Sequence, residues 1–433
     1  MKNKNKINIV TLGCSKNVVD SERLLRQFDA AGFSTSHDGA ENGGTVIINT
    51  CGFIGDAKEE SINMILQFAE ARKTGAIDRL VVTGCLSQRY MNELKLEIPE
   101  VDAWYGVNDD KKIIEENGAN YRTELLGERH LSTPKHFAYL KIAEGCNRSC
   151  SFCAIPMIRG AHKSRSMESL IEEAKKLATL GVKELLLISQ DLTWYGIDLY
   201  KEQKLTELVR SLSDLNLFSR IRLHYLYPHT FPTDLLDLMS QRSDICPYLD
   251  IPLQHINDRI LKSMKRSSTK HEIEELLTLF RNKLPHAAIR TSFIVGYPGE
   301  TEEEFNELLE FISKWKFDRV GVFTYSMEEN TPAEPLGDPV SEEIKQERSQ
   351  KLMELQESIA FENNQRFVNT IIQVIIDSHD NETYIARSVF DSPEVDNEVY
   401  INKEHGIFQP GDLINVRVIK AEAHELYAEP IIS

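Results

Sequence analysis

Between residues 138 and 324 the chain alternates six short apolar runs with longer amphipathic ones, and this rhythm limits its folds more than any other feature. The strand-type runs fall at 138–143, 184–189, 221–225, 248–252, 289–295 and 319–324. Helical patterns at 167–180, 205–215, 233–241, 271–284 and 302–315 lie between them. Such an order predicts parallel strands joined by crossover helices, and six units predict a partial (β/α)6, TIM-like barrel. Barrels of this kind carry their chemistry at the C-terminal ends of the strands. Directly after the first run stands Gly145-Cys146-Asn147-Arg148-Ser149-Cys150-Ser151-Phe152-Cys153, a CxxxCxxC spacing with an aromatic before its last cysteine.

Three thiolates are one fewer than a cuboidal four-iron cluster normally takes from protein, so one iron would stay open. An open iron can chelate S-adenosylmethionine (SAM) through amino and carboxylate groups, which is how SAM is cleaved to a carbon radical. The competing reading is a zinc knuckle or redox pair, which needs a fourth Cys or His close by. The nearest candidate, His162, lies nine residues beyond Cys153 across a stretch containing Pro and Gly.

Upstream, residues 7–12, 45–49 and 80–83 read as strands, with helical patterns near 19–31 and 57–73, giving an N-terminal α/β region with a parallel sheet. Cys14, Cys51 and Cys85 each fall just past one of these strands. Open parallel sheets bind ligands beyond the carboxyl ends of their strands, so three thiols there predict a second cluster site rather than three unrelated buried cysteines. Gly13, Gly52 and Gly84 adjoin them and would let the backbone approach a bulky inorganic ligand. Downstream, a charged helical stretch at 341–365 gives way to short β runs at 371–376, 384–387, 399–401, 412–421 and 426–428, which predict a small all-β barrel. Expected boundaries are 1–130, 131–366 and 367–433.

Candidate SAM contacts are Phe152 beside the cysteines, Gln190 and Asp191 at the end of the second strand, Arg222 in the third and Gly296 after the fifth. Gln190 and Asp191 equally fit a helix-capping turn, and Thr301 with Glu304 reads as a capping box. Arg159, Arg165 and Arg222 could pair with a carboxylate, although an exposed ion pair is the ordinary role of any one of them. Lys262, Lys265, Arg266 and Lys270 read as a solvated face, and His224, His229 and His255 as structural residues.

Two cysteine triads, a six-unit barrel and a C-terminal β region together resemble, over the whole chain, the methylthiotransferases, radical SAM enzymes that replace C–H with C–S–CH3. The resemblance implies two [4Fe-4S] clusters, held by Cys14, Cys51 and Cys85 and by Cys146, Cys150 and Cys153. It also implies a C-terminal TRAM domain for substrate recognition. One branch of the family modifies tRNA adenosines and another an aspartate of the twelfth small-subunit ribosomal protein. Leu12-Gly13-Cys14-Ser15-Lys16-Asn17, Asn49-Thr50-Cys51-Gly52-Phe53-Ile54 and Ala154-Ile155-Pro156-Met157-Ile158-Arg159-Gly160 are similar to the second branch. Ser15 and Ser267 depart from that branch's usual proline and glycine. The implied partners are a basic ribosomal protein, free or on the ribosome, and an electron donor such as a flavodoxin or ferredoxin; no residue points to the sulfur donor.

Charge agrees with a basic partner. The chain carries 67 Asp and Glu against 50 Lys and Arg, a net −17, and residues 367–433 hold twelve acidic against four basic residues, a net −8. Such a field disfavours tRNA and suits a cationic protein. A non-catalytic iron–sulfur or RNA-binding adaptor is the reading from another class. No apolar run reaches the length of a membrane span, and the charged start at 1–6 does not resemble a signal peptide, so a cytoplasmic location is expected. Seven cysteines without an export signal argue for metal use over disulfides, with Cys246 left as a buried free thiol.

Overall fold

The computed structural model describes residues 5–39 and 43–431, so residues 1–4 of the charged start lie outside the described residues. Two compact units result. The first comprises Met1–Thr133, Tyr139–Arg148 and Cys153–Leu177, and the second Pro134–Ala138, Ser149–Phe152 and Ala178–Ser433.

The first unit is built on a parallel sheet of β1 (Lys6–Thr11), β2 (Ser34–His37), β3 (Thr45–Thr50), β4 (Arg79–Gly84) and β5 (Ala103–Trp104), in the order β2-β1-β3-β4-β5. Its central strands are apolar runs because both faces are covered. Ile7, Ile9, Ile47 and Val81 pack with Leu24, Leu25 and Phe28 of α1 (Ser15–Ala30). Val46, Ile48, Leu80 and Val82 pack with Ile65 and Phe68 of α2 (Gly55–Lys73). Strands β2 and β5 escaped the sequence reading for local reasons. The first is a polar Ser-Thr-Ser-His edge, and the second is two residues long.

In the second unit Glu184–Ile188 pairs in parallel with Arg220–Leu223, and Tyr248–Asp250 with Ala288–Val295, which pairs in turn with Arg319–Thr324. A parallel bridge from Ile221 to Ile245 links the two groups. The first strand of the series, Phe137–Lys141, begins in this unit, where the His136 carbonyl accepts from the N–H groups of Lys183 and Glu184. These six strands match the expected runs to within a few residues and form the open parallel arc of a partial barrel.

Ile371–His379, Thr383–Ser388, Glu398–Asn402, Glu425–Pro430 and Leu413–Ala421 close into a β-barrel in that order around Val374, Ile376, Val399, Ile401, Val416 and Val418. Charged groups near the starts of the arc strands bind it. Glu184 lies between Arg222 at 2.8 Å and Arg387 at 2.7 Å, and Arg220 donates to the carbonyls of Arg387 at 3.0 Å and Gln373 at 3.1 Å. Arg290 pairs with Asp396 and Arg319 with Asp391, each at 2.5 Å. The C-terminal strand ends are thereby left for chemistry. Among the described residues no helix is long and apolar enough to cross a membrane.

Two cysteine triads as the candidate functional site

In the first unit, Cys14 is the N-cap of α1, Cys51 directly follows β3, and Cys85 opens α3 (Cys85–Glu97) after β4. Parallel pairing of β1, β3 and β4 in register brings their carboxyl ends side by side. Asn17 locks that edge. Its amide donates to the carbonyls of Leu12 at 2.7 Å and Thr50 at 3.1 Å, while its Oδ1 accepts from Arg159 Nη2 at 2.6 Å. Cys51 is clasped by Ser61, whose hydroxyl accepts from Cys51 N–H at 3.0 Å and donates to its carbonyl at 2.8 Å. Gly13, with φ +86°, leaves no space for a side chain, because a Cβ there would stand 2.6 Å from Cys51 Cβ and 2.8 Å from its Sγ.

The three thiols sense one another and a common cation. Burial would raise the Cys14 thiol, yet Lys16, Arg159 and helix N-terminal N–H groups hold it below its usual value. Burial pushes Cys51 up, and Cys85 to about 11, with Arg159 opposing and the neighbouring thiols reinforcing. Arg159 is itself 4% exposed and held by Glu144 at 2.8 Å and Asp20 at 3.3 Å, while Lys141 pairs with Glu144 at 2.7 Å and also with Asp20. The expected exposed ion pair is therefore corrected for Arg159: the pair is buried, and its cation faces thiols.

The second triad occupies a single loop. In the first unit, Cys146 N–H donates to Gly160 O at 3.1 Å and its sulfur accepts from Arg148 N–H at 3.4 Å. In the second unit, Ser151 fastens the middle of the motif. Its hydroxyl donates to Ser263 O and meets Tyr297 OH, both at 2.9 Å, and its N–H donates to Met264 O at 2.9 Å. Arg266 donates to Cys150 Sγ at 3.5 Å and to Pro252 O at 2.5 Å, and its guanidinium lies 4.1 Å over the Tyr227 ring. Arg266 corrects the solvated-face reading; the Lys-rich run around it disguised a residue turned inward.

The remaining expected residues divide. Phe152 packs partly buried against Ile260, Met264, Ile294, Tyr297 and Tyr325. Gln190 Oε1 is buried at the end of Glu184–Ile188 without a hydrogen-bond partner. Asp191 caps a short 3-10 turn through Thr193 N–H at 2.9 Å and Thr193 Oγ1 at 2.7 Å, the capping alternative. Arg222 is fully buried on Glu184, the Val389 carbonyl at 3.0 Å and the Tyr248 ring, with its Nη2 making no hydrogen bond. Gly296, φ +72°, makes room for Lys345, whose Cγ would lie 2.4 Å from a Cβ. Thr301 and Glu304 form the expected capping box. His224 bonds Ser392 at 3.1 Å and His255 bonds Glu300 at 3.2 Å, both structural. Cys246 is buried against Tyr248 and Ala288.

Among the described residues no three Cys, His, Asp or Glu side chains stand close enough to share one metal ion. A cuboidal cluster asks for a wider set, because each thiolate meets a different iron. The donor chemistry fits: soft sulfur ligands, a cation to balance their charge, and backbone free to pass close by.

Models of three families match the chain: the Radical SAM superfamily over residues 140–312, the Uncharacterized protein family UPF0004 over 6–106 and the TRAM domain over 368–431. Proteins named ribosomal protein uS12 methylthiotransferase RimO are similar over nearly the full length. That of Flavobacterium johnsoniae is 51% identical, covering 99% of this chain and 98% of its own. That of Bacteroides thetaiotaomicron is 50% identical over 98% of both. A radical S-adenosylmethionine methyltransferase, TsrM, from Kitasatospora setae, solved with cobalamin and a [4Fe-4S] cluster, shares the fold at TM-score 0.56 and 14% identity over 77% of each chain.

Proposed function

The chain belongs to the RimO-type methylthiotransferase family of radical SAM enzymes, and from that premise we propose that it places a methylthio group on the β-carbon of an aspartate in ribosomal protein uS12. The observation that carries this reading is 51% identity to a relative of that name across 429 residues. The radical SAM family brings a [4Fe-4S] cluster and SAM.

In this reading residues 1–130 form the thiol-bearing α/β domain, 131–366 the radical SAM barrel and 367–433 the substrate-recognising TRAM barrel. Cys146, Cys150 and Cys153 would hold the SAM-associated cluster, and Cys14, Cys51 and Cys85 a second one. When bound, these groups supply one-electron cleavage of SAM and the sulfur to be methylated and transferred. The chain's own residues supply position and charge. Arg159 offsets negative charge gathered at the first triad, while Asn17 and Ser61 hold two strand ends at fixed spacing. Arg266 does the same beside Cys150. The unpartnered Gln190 Oε1 suits an N–H donor such as the SAM ammonium, and Phe152 supplies apolar cover. A flavodoxin or ferredoxin delivers the electron, and the enzyme meets uS12 in the cytoplasm, free or on the ribosome.

The test is anaerobic incubation of the iron-loaded protein with SAM, a reductant and either uS12, ribosomes or tRNA, read by mass spectrometry. Exchange of one hydrogen for a methylthio group on a uS12 aspartate is expected. Modification of tRNA alone would overturn the substrate, and absence of 5′-deoxyadenosine would make the chain a non-catalytic adaptor.

A further inference from the structure

The first unit contains a cavity of about 290 Å³ that none of the chemistry above uses. Arg23, Asp110 and Tyr121 line it together with Leu24, Leu125 and Leu126. Neighbouring charges are paired: Arg165 with Glu173 at 2.7 Å, Glu128 with Arg26 at 2.7 Å, and Asp20 with Lys141 and Arg159. Arg23, Asp110 and Tyr121 differ, forming no hydrogen bond or ion pair among the described residues. They feel one another through space nonetheless, since Arg23 and Asp110 each bear on the titration of the other and of Tyr121.

Holding a half-buried guanidinium, carboxyl and phenol without partners is costly, and a guest carrying both signs of charge would offset the cost. An arginine fork matches a carboxylate. Asp110 can accept from an ammonium and Tyr121 can donate to the same carboxylate. The leucines offer an apolar wall, and the volume sits at the lower limit of ligand pockets, which fits a metabolite of amino-acid size. We propose that this cavity binds a free α-amino acid with an apolar side chain, its carboxylate on Arg23 and Tyr121 and its ammonium on Asp110. Burial, Asp20 and Glu144 push the Asp110 carboxyl up to about 6, against the pull of Arg23 and Lys141. The inference stands apart from the methylthiotransfer reading, because it invokes neither triad.

Ligand-observed saturation-transfer NMR on the full chain decides it, with L-leucine, L-methionine, L-glutamate, N-acetyl-L-leucine and L-leucinamide as probes. L-leucine and L-methionine should bind, and the blocked derivatives and L-glutamate should bind at least about tenfold more weakly. Arg23→Gln and Asp110→Asn should each abolish the leucine signal, and the milder Tyr121→Phe should weaken it a few-fold in a protein of unchanged circular dichroism. No signal from any probe, equal binding of the blocked derivatives, or retention of the signal in the variants would overturn the proposal. If Arg23→Gln fails to fold, Tyr121→Phe and the blocked probes still decide it.

Discussion

The two cysteine triads reach comparable donor sets by opposite routes. Cys146, Cys150 and Cys153 lie within eight consecutive residues, so chain connectivity alone keeps them together. Cys14, Cys51 and Cys85 span more than seventy residues and are neighbours only because β1, β3 and β4 pair in parallel register. The loop triad is local and recruits one distant cation, Arg266, to Cys150. The sheet triad depends on the fold and is organised around Arg159, Asn17 and two carboxylates. A contiguous motif can be read directly; a dispersed one must be inferred from where strands end.

The strongest way to break this comparison is to remove one thiol from each triad. Cys146→Ala should lose about half of an expected total of about eight irons and abolish 5′-deoxyadenosine formation. Cys51→Ala should lose about the same iron yet keep SAM cleavage while losing methylthio transfer. Iron quantitation with product chromatography reads both, and identical phenotypes would erase the distinction.

Next in size is the pair of cations. Arg159→Leu strands Asp20 and Glu144 with only Lys141 between them and should cost about 3–5 kcal/mol in denaturant unfolding. Arg266→Leu, losing one ring contact and two hydrogen bonds, should cost about 1–2 kcal/mol. Equal costs would mean that the sheet triad depends on its cation no more than the loop does.

Buried carboxyls sharpen the contrast between the units. Burial would raise Glu184, but Arg387, Arg222 and Arg220 outweigh it and hold the carboxyl below the usual glutamate range. Its stabilisation is present above about pH 4.3 and is lost as pH falls below that value. Glu184→Gln should therefore cost about 3 kcal/mol at pH 7 and flatten the acid limb of a stability profile.

Asp110 has the opposite sign and the smallest effect. Burial, Asp20 and Glu144 raise it to about 6 despite Arg23 and Lys141, and Tyr121 also faces it. Its contribution is favourable below about pH 3.9 and is lost as pH climbs through about 6. Asp110→Asn should raise stability at pH 7 by about 1 kcal/mol and leave it unchanged near pH 4. Urea midpoints across pH check both carboxyl variants.

Much of the architecture was legible because covered parallel strands carry unbroken apolar runs, as at 46–48 in Thr45–Thr50 and 185–188 in Glu184–Ile188. Ser34–His37 was not, because an edge strand needs no apolar signature. Cysteine positions were readable through the general rule that sheets bind at strand ends. Arg159, Arg266 and Arg222 were not, since nothing local tells a buried cation from an exposed one. Each is fixed by groups 15 to 167 residues away: Glu144 and Asn17 for Arg159, Cys150 for Arg266, and Glu184 with Val389 for Arg222. Nor does anything local show that the space a side chain would need at Gly296 is taken by Lys345.

The seam of buried charges between the arc strands and the C-terminal barrel has a mechanical consequence. Glu184, Arg220, Arg222, Arg290 and Arg319 bolt that barrel down at five points, so it serves as a fixed gauge and not as a swinging arm. On the proposed reading, a polypeptide gripped by this barrel would be measured by it: the span from grip to strand ends is constant, and only a target residue at the matching reach along the guest would be presented for modification.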